Sequence, residues 1–144
     1  MRYSFLIVAT FYLQAQDLPD APGKAVVVKL CSGCHGLATV IGLRRTKTGW
    51  EKTVDDMAQR GAKGTDEEFD TAVAYLSRYL GKVNVNTASA QEIQDIADLT
   101  AQEAAAIIGY RSQNGAYKEF TDLEKVPDLD AKRLDARRNR FVFR

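Results

Sequence analysis

A chain of 144 residues has room for one ordinary domain or two small ones, and small domains bury so little surface that a cofactor, metal or partner is to be looked for early. Twenty Lys and Arg stand against nineteen Asp and Glu, a formal net charge of +1, which excludes a strong global attraction to nucleic acid or to an anionic membrane. Such a partner has to be engaged by a local surface.

The N-terminus reads as a short basic region, Met1-Arg2-Tyr3, an apolar run from Phe5 to Leu13, and a small residue suited to cleavage in Gln14-Ala15-Gln16-Asp17. The run is too short for a stable bilayer anchor and predicts a signal peptide over residues 1–15, cleaved after Ala15. An uncleaved membrane anchor, or a lipid-free buried segment, is the competing reading. No other stretch approaches transmembrane length, so the mature protein is expected without a membrane span, exported to the periplasm or the extracellular space.

Both cysteines lie in Cys31-Ser32-Gly33-Cys34-His35. C-x-x-C-H is the attachment pattern of c-type haem: two thiols three positions apart add to the vinyl groups, and the next residue sets an imidazole beneath the iron. The rivals are a thioredoxin-like redox pair, half of a zinc site and a plain disulfide. The first lacks a strand-helix-strand context, and the second lacks ligands, because the chain has no other Cys or His. One covalent haem c on Cys31 and Cys34 is the expectation, with His35 ligating the metal.

Around that string, Lys24 to Leu30 is apolar enough for a short helix. Thr48-Gly49-Trp50-Glu51 and Thr65-Asp66-Glu67-Glu68 match the capping box and predict helices over 49–60 and 66–80. The first places Trp50, Val54 and Met57 on one face, and the second Phe69, Val73, Leu76 and Leu80. Met57 is then the candidate sixth ligand to a haem enclosed by these faces; filling a gap in the core is the alternative.

Residues 22–82 resemble the short class I-like monohaem c-type cytochrome modules found with periplasmic quinoprotein dehydrogenases. The strings that carry the resemblance are Cys-Ser-Gly-Cys-His-Gly at 31–36, Arg-Arg-Thr-Lys-Thr-Gly-Trp at 44–50 and Val-Asp-Asp-Met-Ala-Gln-Arg-Gly at 54–61. It implies Met57 as axial ligand, a closing helix at 67–76, and electron transfer with a redox partner protein. Arg44 and Arg45 either pair with haem propionates or form a solvated basic turn.

After Gly81 the chain changes style, with a boundary near 82–85 and no further Cys, His or Trp. An internal repeat offset by 30 residues aligns Ile93, Ile96, Asp98, Leu99, Ala101 and Ala104 with Leu123, Val126, Asp128, Leu129, Ala131 and Leu134. Capping boxes at Ser89 to Glu92, Thr100 to Glu103 and Thr121 to Glu124 mark helix starts, so residues 83–144 predict a pair of helical hairpins joined by a helix over 101–114 and a turn at Gly115.

This half is similar to the tandem helix-hairpin-helix domain of competence-type, ComEA-like DNA receptors. The strings are Val-Asn-Val-Asn-Thr-Ala-Ser at 83–89, Ile-Ile-Gly-Tyr-Arg at 107–111, Asn-Gly-Ala-Tyr at 114–117 and Phe-Thr-Asp-Leu-Glu-Lys-Val at 120–126. The resemblance implies that double-stranded DNA is held by its backbone, without sequence readout, through amides at a Gly-hydrophobic-Gly turn and the helix start beyond it. The corresponding turns here are Asp98-Leu99-Thr100 and Asp128-Leu129-Asp130, and an Asp in place of the first Gly adds negative charge where an anion is expected. Candidate DNA contacts are Leu99, Thr100, Arg111, Leu129, Lys132 and Arg133, with Lys118, Arg137, Arg138 and Arg140 as further cations. Residues 84–144 hold nine Lys and Arg against ten Asp and Glu, so a protein-interaction domain is the rival reading.

The expected fold class is thus all-α, a small c-type cytochrome domain followed by a tandem helix-hairpin-helix domain. The leading expectation is an exported monohaem cytochrome acting in electron transfer. Its alternatives are an extracytoplasmic DNA-binding protein with structural or sensory haem, and the cytochrome subunit of a periplasmic dehydrogenase. No nucleophile, base and orienter set is present, so an enzyme is not expected.

Overall fold

Residues 17–144 are described by the computed structural model; the signal-peptide reading of residues 1–15 lies outside the described residues. Four helices come first, α1 (Lys24–Cys31), α2 (Leu37–Ile41), α3 (Lys47–Gln59) and α4 (Asp66–Leu80). A short strand β1 (Val83–Asn84) leads to α5 (Ala90–Ala97), α6 (Ala101–Asn114), α7 (Phe120–Leu123) and α8 (Ala131–Ala136). A 3-10 turn over Arg138–Arg140 and a strand β2 (Phe141–Val142) close the chain. The fold is mostly helical, and no helix among the described residues is long and apolar enough to cross a membrane.

Local signals explain most helix starts. Thr65, Ser89 and Thr100 each accept a hydrogen bond from the amide three residues on, and Glu68, Glu92 and Glu103 reach back to the cap amide. Two starts differ from the expectation. The cap of α3 is Thr46, whose hydroxyl accepts from the Gly49 amide at 3.2 Å, so Thr48 falls inside the first turn. In α7 the box is formed by Glu119 and Asp122, not Thr121 and Glu124.

The buried side chains fall into two clusters. Leu18, Val27, Val40, Trp50, Ala72, Tyr75, Leu76 and Leu80 form the first, where α4 packs against α1 and α3. The second runs from Val83 to Phe141 and includes Ile93, Ile107, Leu123 and Leu134. Between them stands Gly81, where an added Cβ would lie 1.8 Å from the Ser77 carbonyl oxygen, so only glycine lets the chain leave α4 this closely.

The second unit is closed by its own ends. Val83 pairs with Phe141 and Asn84 with Val142 in a two-stranded parallel arrangement. Asn86 clasps the same region: its side-chain amide donates to the carbonyls of Tyr117 at 2.8 Å and Phe143 at 3.0 Å, and its side-chain carbonyl accepts from the Tyr117 amide at 2.8 Å. The Asn-rich opening of this half therefore serves packing, each buried polar group meeting a partner.

Candidate nucleic-acid interface

The repeat offset by 30 residues is visible in the backbone. Asp98, between α5 and α6, has φ 54°, and Asp128, between α7 and α8, has φ 62°. These are the positive-φ non-glycine residues among the described ones, and Asp is one of the few side chains that tolerate that conformation. The turn for which glycine is suited is thus made by aspartate in both hairpins.

In the first turn the added charge is compensated. The Arg137 guanidinium donates to the Asp98 carboxylate and holds its proton affinity below the ordinary carboxylate range. Leu99 is buried in the second core, and the Thr100 hydroxyl caps α6. Glu103 is buried, and its carboxylate accepts from the Thr100 amide at 2.8 Å and the Thr100 hydroxyl at 2.9 Å. Arg133, at the position equivalent to Glu103 in the second hairpin, reaches the same oxygen at 3.3 Å. The two hairpins are therefore tied by an ion pair between repeat-related residues.

The second turn is different. Leu129 is only half-buried against the core, and the cap of α8 is Asp130, which accepts from the Arg133 amide at 2.9 Å. A carboxylate of the chain itself thus occupies the position where the helix start would otherwise favour an outside anion.

The candidate cations separate as well. Arg111 is turned inward, its guanidinium donating to the carbonyls of Val85 at 2.6 Å and Ala88 at 2.9 Å, so it buttresses the loop before α5. Arg138 lies over the Phe120 ring at 3.9 Å and pairs with Asp135 and Glu124. Lys118 and Lys132 are exposed, Lys132 in the first turn of α8. Sequence reasoning missed Arg78, on α4, which pairs with Asp95 of α5 at 3.1 Å and stands beside the Asp98 turn.

Cys31, His35 and Met57 do share a wall. With Trp50 and Leu76 they line an apolar cavity of about 200 Å³ between α1, α3 and α4. Cys34 is exposed and does not line it, and burial pushes the Cys31 thiol up. No group of three or more His, Cys, Asp or Glu that could hold a metal ion occurs among the described residues.

Comparison with known proteins assigns the second half. A family model for the helix-hairpin-helix motif matches residues 80–142. An uncharacterized protein of Haemophilus influenzae is 33% identical over 94 residues, which are 65% of this chain and 80% of that protein. This chain belongs to the family of that protein, and it carries a helix-hairpin-helix module. The module is similar to ComE operon protein 1 of Bacillus subtilis, 38% identical over 53 residues, which cover 37% of this chain and 26% of that protein. It is also similar to the endonuclease/exonuclease/phosphatase family domain-containing protein 1 of Xenopus laevis, 39% identical over 54 residues, which cover 38% of this chain and 10% of that protein. The chain thus spans about a quarter of the Bacillus relative and a tenth of the Xenopus one. No solved structure matches it.

These findings correct the leading expectation. The family match and the relatives point to a helix-hairpin-helix protein, and none of the names those relatives carry is that of a cytochrome. The haem c and the electron transfer expected of residues 22–82 are overturned with it, and a redox partner is left without support.

Proposed function

We propose that this protein binds double-stranded DNA by its backbone, without sequence preference, through the helix-hairpin-helix module over residues 83–144, and does so outside the cytoplasm. The observation that carries the reading is the match of residues 80–142 to the helix-hairpin-helix motif, joined to a first turn whose Asp98 charge is met by Arg137. Similarity to ComE operon protein 1 and the resemblance to competence-type DNA receptors point the same way, and the signal-peptide reading of residues 1–15 supplies the compartment. The helices of residues 22–82 form a support for the module, joined to it at Gly81, and no chemistry on a substrate is assigned to either unit.

The contacts fall on the first hairpin. Its turn presents Thr100, a neutral cap, at the start of a 14-residue helix, with Arg133 of the second hairpin alongside on Glu103. Asp128 and Asp130 favour a competing reading, in which the second hairpin faces a protein and only the first faces nucleic acid.

The test is fluorescence anisotropy of the purified protein with a labelled random-sequence duplex across a salt series. Salt-sensitive binding in the micromolar range, typical of non-specific association, is expected. Absence of binding at the lowest salt overturns the reading.

A further inference from the structure

Between the end of α4 and the C-terminal arm lies a cleft of about 450 Å³, lined by Arg78 and Tyr79 from the first unit and by Asp98, Arg137, Asn139 and Arg140 from the module. Its charge is lopsided. Arg140 is half-buried there, and burial first, then the positive charges of Arg44 and Arg137, holds its guanidinium below its ordinary proton affinity. Three arginines, Arg78, Arg137 and Arg140, thus stand against two carboxylates, Asp95 on Arg78 and Asp98 on Arg137.

Hydrogen bonding leaves donors over. Arg140 donates one nitrogen to the Gly81 carbonyl at 3.1 Å. The Arg137 Nε–H is buried and has no hydrogen-bond partner among the described residues, an uncommon state for a buried donor. A guanidinium offers five N–H groups in a planar fork, which suits the two free oxygens of a phosphate better than a single carboxylate contact does. The cleft opens at the Asp98 turn, on the hairpin assigned above to DNA.

We propose that this cleft holds a backbone phosphate of duplex DNA, with Arg78 of α4 and Arg137 beside the Asp98 turn as its ligands, so that the first unit and the first hairpin grip one strand together. The proposal rests on the DNA-binding reading and extends it to a residue outside the module. It couples the two units, since Arg78 belongs to α4 and Arg137 follows α8.

Two full-length variants test it, measured by anisotropy with the same duplex across salt. Arg78→Ala removes an exposed side chain and is expected to weaken binding about 5- to 10-fold and to make the salt dependence shallower by about one phosphate contact. Asp98→Asn keeps a side chain that tolerates positive φ, removes the competing carboxylate, and is expected to tighten binding about 3- to 5-fold, a gain that misfolding cannot produce. If the unaltered protein binds and Arg78→Ala matches it in affinity and salt slope, the proposal is overturned while the DNA reading stands. If the unaltered protein does not bind, both fall. Thermal stabilisation by inorganic phosphate that Arg78→Ala abolishes, with DNA affinity untouched, makes the cleft a small-anion site and also overturns the proposal.

Discussion

The two hairpins share a backbone turn and differ in almost everything attached to it. Asp98 and Asp128 both take the left-handed conformation, yet Asp98 is held by Arg137, followed by a buried Leu99 and capped by a neutral Thr100, while Asp128 is followed by a half-buried Leu129 and a charged cap, Asp130. The helices follow suit: α5 and α6 have 8 and 14 residues, α7 and α8 only 4 and 6. A repeat therefore preserves the turn geometry, which is local, more readily than the burial and charge that make the turn useful. The first hairpin carries a charge-compensated turn and a neutral cap; the second supports it, through Leu134 in the core and Arg133 on Glu103.

The largest effect that would sharpen this contrast is on stability. Leu99→Ala opens a cavity in the second core and is expected to cost about 2–4 kcal/mol, whereas Leu129→Ala removes a side chain already partly in water and should cost about 1 kcal/mol. Urea denaturation followed by circular dichroism measures both. Equal costs would mean that the two turns are packed alike, against the asymmetry described here.

Next comes the tie between the hairpins. Burial alone would raise the proton affinity of Glu103, but the amide and hydroxyl of Thr100 and the charge of Arg133 outweigh it, and the group sits below the ordinary carboxylate range. A depressed folded-state value means that its contribution to stability is present above the unfolded-state value, about 4.3, and is lost as pH falls through the folded one. Glu103→Gln should therefore cost about 1–2 kcal/mol at neutral pH, where Arg133 loses its partner, and flatten the loss of stability below that point. Melting temperatures across an acid series would show it. An unchanged acid slope would place the pH sensitivity elsewhere, Asp98 being the next group with a depressed value in this hairpin.

How much of this was legible in the sequence depends on distance along the chain. Thr65 with Glu68, Ser89 with Glu92, and Thr100 with Glu103 are contacts over three residues, and they mark the starts of α4, α5 and α6 correctly. Thr48 misled because Thr46 and Thr48 both stand before the α3 pattern, and only the backbone decides which one leaves the helix. The five residues of α2 are too few to show a period. Arg111 reads as a cation on a helix, but the carbonyls of Val85 and Ala88 that claim it lie 26 and 23 positions away. The compensation of Asp98 by Arg137 spans 39 positions and was equally hidden. The cavity near Cys31 is set by how α1, α3 and α4 pack, which a five-residue motif cannot report.

The smallest expected effect bears most directly on the proposed assignment of DNA to the first hairpin alone. Asp130→Ser keeps an oxygen to accept from the Arg133 amide, so stability should stay within about 0.5 kcal/mol of the parent. It removes a full negative charge from the start of α8, next to Lys132, and leaves a neutral cap like that of Thr100. If charge is what silences the second turn, duplex affinity should rise about 2- to 3-fold and the salt dependence should steepen as Lys132 becomes available to a phosphate. If affinity is unchanged with the fold intact, the second turn is kept from DNA by its placement rather than its charge, and the asymmetry was set by the short helices α7 and α8 before the capping residue mattered.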